Sequence, residues 1–422
     1  MTAGARSVVV VGQGYVGLPL AIRAVQVGYR VVGFETNSNR VDRLKAGDSY
    51  VDDVTADDLS TALESGRYTP TSNEAELGAF DVAIITVPTP LTDGAPDLSY
   101  VEQAGRMLAQ HLQRNACVVL ESTTYPGTTE ELLAPILEST SGLRAGVDFH
   151  LGYSPERVDP GNKLWRLENT PKIVSGLTPA CLAVVQDFYD TLVEKTIPVS
   201  GPGEAELTKL IENTFRHVNI ALVNELAVSA RSLGFDIWEA IDAAATKPFG
   251  FMRFEPGPGV GGHCLPVDPS YLSWQMKRRA GSPFRFVELA NDINDHMPEY
   301  VVQRLTLGLN RRSKPIKGSR ILLLGLAYKA DTGDVRESPA VSVAERLLAL
   351  EAHVRAADPY VDGEVLSDSV ARVELEVEEL AAADAVVLLT PHSAFDFDLV
   401  ARHAVYVLDT RRRVVGEQVE YL

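Results

Sequence analysis

The sequence predicts an α/β protein in which two parallel-sheet units flank a helical middle. Three observations carry that reading. Short, continuous apolar strands alternate with helical patterns at both ends of the chain, a glycine-rich turn follows the first strand, and a long Leu-, Ile-, Val-, Ala- and Glu-rich run fills the centre. At 422 residues the chain has room for two or three domains with full cores.

Taken in order, Ser7–Val11 is a β-branched run ending at a glycine turn. A helical pattern follows from Tyr15 to about Val27, then a second strand at Arg30–Phe34. Further apolar strands are expected at Val82–Val87, Cys117–Glu121 and Phe149–Gly152, with helices between them, and this unit runs to residue 200. Gly201-Pro202-Gly203 is a break. Beyond it, Glu204 to about Leu233 reads as a long helix and Phe284–Asn310 as another, so 201–314 is a helical region with a loop carrying Cys264 inserted in it. After Lys314-Pro315-Ile316-Lys317-Gly318, strands are expected at Arg320–Leu324, His353–Ala357, Ala385–Leu389 and Ala404–Leu408, with a helix at Ala340–Leu350. The expected fold is therefore two Rossmann-like domains, 1–200 and 315–422, with parallel sheets joined by a helical central region.

Charge narrows the function. With 39 basic and 57 acidic residues the net charge is −18. Nucleic acids and anionic membranes both want clustered positive charge, so neither is an expected partner. Any anionic substrate needs a local cationic pocket. Cys117, Cys181 and Cys264 form no close pair and no metal-ligand spacing, so neither a disulfide framework nor a metal site is expected. A reducing cytoplasm is the natural compartment. No apolar run approaches the roughly 20 residues of a membrane span.

Gly12-Gln13-Gly14-Tyr15-Val16-Gly17 follows a strand and opens a helix. Gly12 permits the tight turn, Gly14 lets the backbone approach a pyrophosphate, and Gly17 allows close helix–strand packing. The helix N-terminus supplies amide donors. Glu35 ends the second strand 23 residues after Gly12, where an acid accepts from a ribose 2′-hydroxyl and repels a 2′-phosphate. NAD is thus expected over NADP, with Arg40 close enough in sequence to leave NADP open. Val87-Pro88-Thr89-Pro90 follows another strand and either lines the same crevice or is an ordinary rigid loop. The third unit has no second glycine close after Gly325, which makes it a poor dinucleotide site.

Cys264 lies in Gly257-Pro258-Gly259-Val260-Gly261-Gly262-His263-Cys264-Leu265-Pro266-Val267-Asp268. Free cysteine is usually a small buried hydrophobe, and Cys117 and Cys181 read that way. The neighbours of Cys264 are ones a packed core element does not choose, and they favour a reactive thiol. A thiol with a carboxylate four residues on, in a chain that carries a dinucleotide fingerprint, points to an alcohol oxidised through an aldehyde to an acid.

The chain resembles the UDP-glucose/GDP-mannose dehydrogenase family of NAD-dependent nucleotide-sugar 6-dehydrogenases. The resemblance rests on ordered motifs: Gly12–Gly17, Val87–Pro90, Glu121-Ser122-Thr123-Thr124-Tyr125-Pro126-Gly127-Thr128-Thr129 and Ser154-Pro155-Glu156-Arg157. It continues through Lys209–Asn213, Gly261–Asp268, Ala327-Tyr328-Lys329-Ala330-Asp331-Thr332 and Arg336-Glu337-Ser338-Pro339. It implies a four-electron oxidation of a hexose C6 hydroxyl to a carboxylate with two NAD. Cys264 matches the family nucleophile, which passes through a thiohemiacetal and a thioester. Asp268 matches the acid that works with an ordered water. Glu156 matches a glutamate with water or general-base duty, its bland alternative being a surface salt bridge with Arg157. Lys209 and Asn213 match stabilisers of the substrate oxyanion, and four residues apart on a helix they also read as a solvated polar stripe. Thr123 matches a threonine near the reacting centre and its cofactor, and equally could end a strand or cap a helix. Arg157 and Gly261 fall within substrate-binding motifs. Lys329 and Arg336 resemble residues that meet substrate and cofactor, and Lys247 is a weaker candidate for a substrate contact. The family is commonly dimeric through its central region, so a homodimer is expected.

Where UDP-glucose and GDP-mannose members carry Ser before the cysteine and Lys before the aspartate, this chain has His263 and Val267. That wording, with Asp159-Pro160-Gly161-Asn162, resembles the branch oxidising UDP-N-acetylhexosamines. UDP-glucose and a dTDP-hexose stay open. His263 is either a pH-sensitive neighbour of the thiol or a structural hydrogen-bonder. Two further readings compete: a two-electron hydroxyacid or polyol dehydrogenase, which has no use for Cys264, and a non-catalytic nucleotide-sugar-binding protein.

Overall fold

Among the described residues, six parallel strands make the N-terminal sheet, in the order Tyr68–Thr71, Arg30–Phe34, Ser7–Val11, Val82–Ile85, Cys117–Leu120, His150–Tyr153. Ser7–Val11 is central: Val8 pairs with Val31 on one side and Val82 on the other. Its four valines are all buried, as a strand covered on both faces demands. Helix Gly17–Gln26 lays Leu18, Ala21, Ile22 and Val25 over one face, and helix Pro179–Tyr189 adds Val185, Phe188 and Tyr189 to the same core. At about 25 cal/mol per Å² of apolar surface, each of the larger side chains contributes on the order of 2 kcal/mol. The strand order reverses beside Ser7–Val11, which opens a crevice beyond the carboxyl ends of the strands. A short parallel pair, Lys172–Val174 with Thr196–Pro198, follows.

The computed structural model describes residues 6–51, 53–92, 94–158, 162, 164–262, 264–361 and 369–422, apart from the side chain of Cys264. The C-terminal sheet repeats the N-terminal plan, in the order Ala371–Arg372, His353–Ala357, Arg320–Leu324, Ala385–Leu388, Val407–Asp409, Val419–Tyr421, all parallel. Ile321 and Leu323 face one core with Val301, Leu305 and Leu309 of helix Arg285–Arg311 and Val343 and Leu347 of helix Pro339–Ala349. Leu322 and Leu324 face the other, with Leu380, Phe395 and Val400. The fold is α/β, with parallel sheets at both ends and helices between, as the sequence implies.

Two compact units emerge. One comprises the chain up to Glu212 together with Trp274–Gly281, and the other Asn213–Ser273 with Ser282–Leu422. Helix Pro202–Leu233 is continuous in sequence through the first boundary. Two local expectations need correction. The helix after the first glycine turn starts at Gly17 rather than Tyr15, because the turn holds residues 14–16 out of it. Cys264 does not sit inside a loop: it is the first residue of helix Cys264–Ala280. Pro266 lies in the first turn, where its missing N–H costs nothing, and only Pro269 sits inside the helix.

Candidate active site

In the first unit the dinucleotide turn is built from backbone constraints. Gly12 has φ +94°, which only glycine adopts at ease, and a Cβ there would stand 2.7 Å from the Thr86 carbonyl oxygen. A Cβ on Gly17 would stand 1.9 Å from the Gly12 oxygen, so only glycine lets the helix begin against the turn. At Gly14 a Cβ would meet nothing within 4 Å. The space above that residue is open, as a pyrophosphate at a helix N-terminus requires. Gln13 ties the turn to the sheet, donating to the Val10 carbonyl at 2.9 Å and accepting from the Tyr68 hydroxyl at 2.7 Å. Tyr15 is exposed and Val16 half-buried.

Glu35 follows its strand and is nearly buried. It accepts from the Gln13 N–H at 3.3 Å and the Asn37 N–H at 3.1 Å, which leaves lone pairs for a ribose hydroxyl. Arg40 lies 3.7 Å from Glu35 and over the Tyr50 ring at 5.2 Å, so its charge is turned toward a carboxylate. The open glycine and the available acid together fit NAD.

Two loops at the carboxyl ends of the sheet are laced together. Thr89 donates to the Thr123 carbonyl at 2.8 Å, and Ser122 donates to the Val87 carbonyl at 2.7 Å, while Pro88 is exposed. Thr123 is half-buried. Its neighbour Thr124 is fully buried, and its hydroxyl has no hydrogen-bond partner among the described residues. Glu206 closes the following turn. Its carboxylate accepts from the Gly127 N–H at 2.6 Å, the Thr129 N–H at 2.9 Å and the Thr129 hydroxyl at 2.7 Å. Burial nevertheless pushes this carboxyl up to about 7.

Glu156 is held by three hydrogen bonds. Its Oε1 accepts from the N–H groups of Arg157 at 2.7 Å and Val158 at 2.6 Å, and its Oε2 accepts from the Lys172 ammonium at 3.0 Å. The same ammonium lies 3.1 Å from Glu121, which also takes the Tyr189 hydroxyl. Burial opposes ionisation of Glu156, but the charge of Lys172 and the amide bonds hold it below its ordinary value. Burial pushes Glu121 up. The Glu156–Arg157 salt bridge does not form: Arg157 makes a forked pair with Glu212 and donates to the Pro171 carbonyl. Lys209 is buried, with its ammonium 2.6 Å from the Glu156 carbonyl oxygen, so this part of the helix is no solvated stripe.

In the second unit, Asn213 is buried and donates to Asp268 Oδ2 at 2.5 Å. Asp268 is 2 % exposed and stands one helical turn after residue 264. The strand of chain before the helix is held on both sides. Asn224, itself held by Asn294, accepts from the Gly257 N–H at 2.9 Å, and Gly262 donates to the Arg336 carbonyl at 3.0 Å. Gly262 has φ +83°, and Cβ atoms on Gly261 or Gly262 would collide with Tyr328 at 2.8 and 2.7 Å. The segment bearing Lys329 and Arg336 thus packs directly on the glycines before the thiol. Lys329 is half-buried. Arg336 is exposed and pairs with Asp334. Arg411 packs its guanidinium against Gly257, and burial lowers its pKa to about 10. Lys247 is exposed and lies over the Phe249 ring at 4.9 Å. His263, Asp159, Pro160, Gly161 and the side chain of Cys264 lie outside the described residues. Among the described residues no group of His, Cys, Asp and Glu could hold a metal ion.

Sequence reasoning missed Lys172, Glu121, Tyr189, Thr124, Glu206 and Arg411. Lys172 in Lys172-Ile173-Val174 looks like the polar start of an edge strand, and no local signal reveals a buried ammonium. Glu121 and Thr124 stand in the same motif as Thr123, and nothing in the sequence shows which of these side chains is turned inward.

The sequence matches the UDP-glucose/GDP-mannose dehydrogenase family along its length: the NAD binding domain over residues 6–193, the central domain over 203–296 and the UDP binding domain over 322–415. It is 39 % identical to the UDP-N-acetyl-D-mannosamine dehydrogenase of Pyrococcus horikoshii over 92 % of this chain and 90 % of that one. It is 37 % identical to a UDP-N-acetyl-D-glucosamine 6-dehydrogenase of Pseudomonas aeruginosa over 92 % and 91 %. A solved structure of the Pyrococcus horikoshii UDP-D-ManNAc dehydrogenase superimposes with a TM-score of 0.89 at 34 % identity, covering 98 % of each chain. A dinucleotide turn that fits NAD, on a chain matched from end to end, makes this protein a member of the UDP-glucose/GDP-mannose dehydrogenase family, an NAD-dependent nucleotide-sugar 6-dehydrogenase.

Proposed function

We propose that the chain oxidises the C6 hydroxyl of a UDP-hexose to the carboxylate through a covalent intermediate on Cys264, with a UDP-N-acetylhexosamine as the preferred substrate over UDP-glucose or a dTDP-hexose. The observation that carries the reading is the buried Asp268 carboxylate, one turn after residue 264 and bonded to Asn213. NAD, when bound, would accept one hydride at each of the two oxidations of C6, so one turnover would use two NAD. Asp268, acting with a water, takes the hydroxyl proton as the alcohol becomes an aldehyde. The Cys264 sulfur then bonds to C6 and its proton passes to the carbonyl oxygen, giving a thiohemiacetal. Lys209 and Asn213 donate to that oxygen as charge gathers on it. Loss of the second hydride and the hydroxyl proton leaves a thioester. Water adds to it, the C–S bond breaks and the thiol is regained. Glu156 orders that water, and Thr123, with Thr124 beside it, lines the reacting centre.

Gly12, Gly14, Tyr15, Val16, Gly17, Glu35, Arg40, Pro88, Thr89, Thr123 and Arg336 serve the cofactor. Arg157, Lys247, Gly261, Lys329 and, in addition, Arg411 serve the sugar nucleotide, whose diphosphate needs cations in so acidic a protein. The names of the relatives support the N-acetylhexosamine preference, since both act on UDP-N-acetyl sugars. The three parts 1–200, 201–314 and 315–422 take the cofactor-binding, central and nucleotide-sugar-binding roles. The reading includes a cytoplasmic homodimer. Ile211, Phe215, Leu222 and Leu226 are exposed at helical spacing on Pro202–Leu233, a stripe that a second copy covers. No helix among the described residues is long and apolar enough to cross a membrane.

The test is intact mass after acid quench. Glu156→Gln should accumulate protein heavier by one acylating sugar nucleotide, and Cys264→Ser should carry none. Substrate turnover to a carboxylate by Cys264→Ser would end the covalent reading.

A further inference from the structure

One buried charge has no task in the chemistry above. Lys172 is 3 % exposed in its side chain, with its ammonium 3.0 Å from Glu156 Oε2 and 3.1 Å from Glu121 Oε2. An ammonium is kept out of water only where carboxylates offset its lost hydration. Two carboxylates share this one, and they are not alike. Glu121 is fully buried and also takes the Tyr189 hydroxyl, whose ring lies 5.4 Å from the ammonium. Glu156 takes two backbone N–H groups as well, and its carbonyl oxygen receives Lys209. The adjacent Arg157 guanidinium is committed to Glu212.

We infer that Lys172 is a positioning residue for the oxidation: its ammonium, anchored by Glu121, fixes the Glu156 carboxylate, and thereby the backbone carbonyl that aims Lys209. The inference rests on the place given to Glu156 above. Lys172 touches neither substrate nor cofactor and acts through its neighbour. Without it, two carboxylates would face each other in a buried space, and like charges so placed cannot both stay ionised. Burial alone raises Glu156, and the Lys172 charge is the largest influence holding it down. The remaining charged or titratable neighbours are Lys209, which also favours the ionised form, and Glu121, Tyr189, Arg157 and Glu212.

The experiment is the pH profile of kcat for full-length Lys172→Met, Lys172→Arg, Glu156→Gln and the Lys172→Met/Glu156→Gln pair, with saturating NAD and sugar nucleotide. Lys172→Met should lower kcat more than about tenfold and move the acid limb up by about one pH unit, as expected when a carboxylate loses an adjacent cation. KM for NAD should stay within about twofold, since the cofactor turn is untouched. Lys172→Arg should return the limb toward wild type. In the Glu156→Gln background, Lys172→Met should add less than about threefold, because a residue acting through another loses its effect when that other is gone. A wild-type limb in Lys172→Met, or a full multiplicative loss in the pair, would overturn the inference while leaving Glu156 in place. An unchanged kcat in Glu156→Gln would instead remove Glu156 from the chemistry, and Lys172 with it. Should Lys172→Met not fold, Glu121→Gln leaves the ammonium to Glu156 alone: a limb at or below the wild-type pH supports the inference, and an upward shift overturns it.

Discussion

The two sheets have the same strand order, yet their first loops are put to opposite uses. Each first strand ends at a glycine with positive φ, Gly12 at +94° and Gly325 at +86°, and each second strand is followed by an acid, Glu35 and Asp358. Glu35 touches one loop amide and leaves the space at Gly14 open. Asp358 instead accepts from the N–H groups of Leu326 at 2.6 Å, Ala327 at 3.0 Å and Tyr360 at 2.9 Å. His392, fully buried, accepts from the Asp331 N–H and so donates its other ring nitrogen to Asp358 at 2.9 Å. In the second unit the protein's own carboxylate takes loop amides of the kind that the cofactor site proposed for the first leaves to a pyrophosphate. A strand order that can hold a dinucleotide does so only where the loop amides are left free.

The comparison breaks most visibly at Gly14. Gly14→Val puts a side chain into the open space, its Cβ meeting no protein atom within 4 Å, so kcat/KM for NAD should fall about 1,000-fold, or about 4 kcal/mol, with an unchanged melting temperature. Unaltered NAD kinetics would mean that the turn does not hold the cofactor. Asp358→Ala is the converse: it should cost about 3 kcal/mol of stability in urea titration, by leaving buried donors unpaired, and hardly alter KM for NAD. A change in KM for NAD without a stability loss would reverse the roles assigned to the two loops.

Acidity sharpens the contrast. Glu206 carries a raised pKa, so its contribution to stability is full below the ordinary glutamate range and is lost as pH rises to about 7, a swing of about 3 kcal/mol. Burial opposes ionisation of Asp358, but His392 and the loop amides hold it well below the carboxylate range. Its contribution is therefore present at neutral pH and lost only as pH falls below about 4. Hydrogen exchange, corrected for intrinsic rate, should find the Gly127 and Thr129 amides less protected at pH 8 than at pH 5, and those of Leu326 and Ala327 equally protected at both. Glu206→Gln should flatten the first trend, and parallel behaviour of the two sets would refute the assignment. The smallest effect is expected at Glu35. Glu35→Gln frees Arg40 from its carboxylate and should narrow the preference for NAD over NADP about tenfold, about 1.4 kcal/mol, in steady-state kinetics.

Much of this was legible in the sequence, for reasons of pattern. Apolar runs such as Val8–Val11 and Ile321–Leu324 have one use in a soluble α/β protein, and a glycine turn between strand and helix has few. The helix beginning at Cys264 was not legible, because Gly261, Gly262, Pro266 and Pro269 all read as loop, whereas the glycines precede the helix, Pro266 falls in its first turn and Pro269 sits inside it. Lys172 was hidden for another reason. A lysine is exposed by default, and only tertiary structure brings Glu121 and Glu156, from distant segments, onto its ammonium. Thr124 shows the finest grain of the problem: a motif locates a loop, but which of two adjacent hydroxyls is turned inward depends on local backbone geometry.

The central claim is a four-electron oxidation carried by one thiol, and the yield of NADH at limiting substrate tests it most directly. UDP-N-acetylglucosamine, UDP-N-acetylmannosamine, UDP-glucose, dTDP-glucose and GDP-mannose would each be run to completion with excess NAD. Two NADH per sugar, with a UDP-N-acetylhexosamine turned over fastest, is the predicted result. One NADH per sugar would mean that oxidation stops after a single hydride, and Cys264 would lose its role as the covalent carrier.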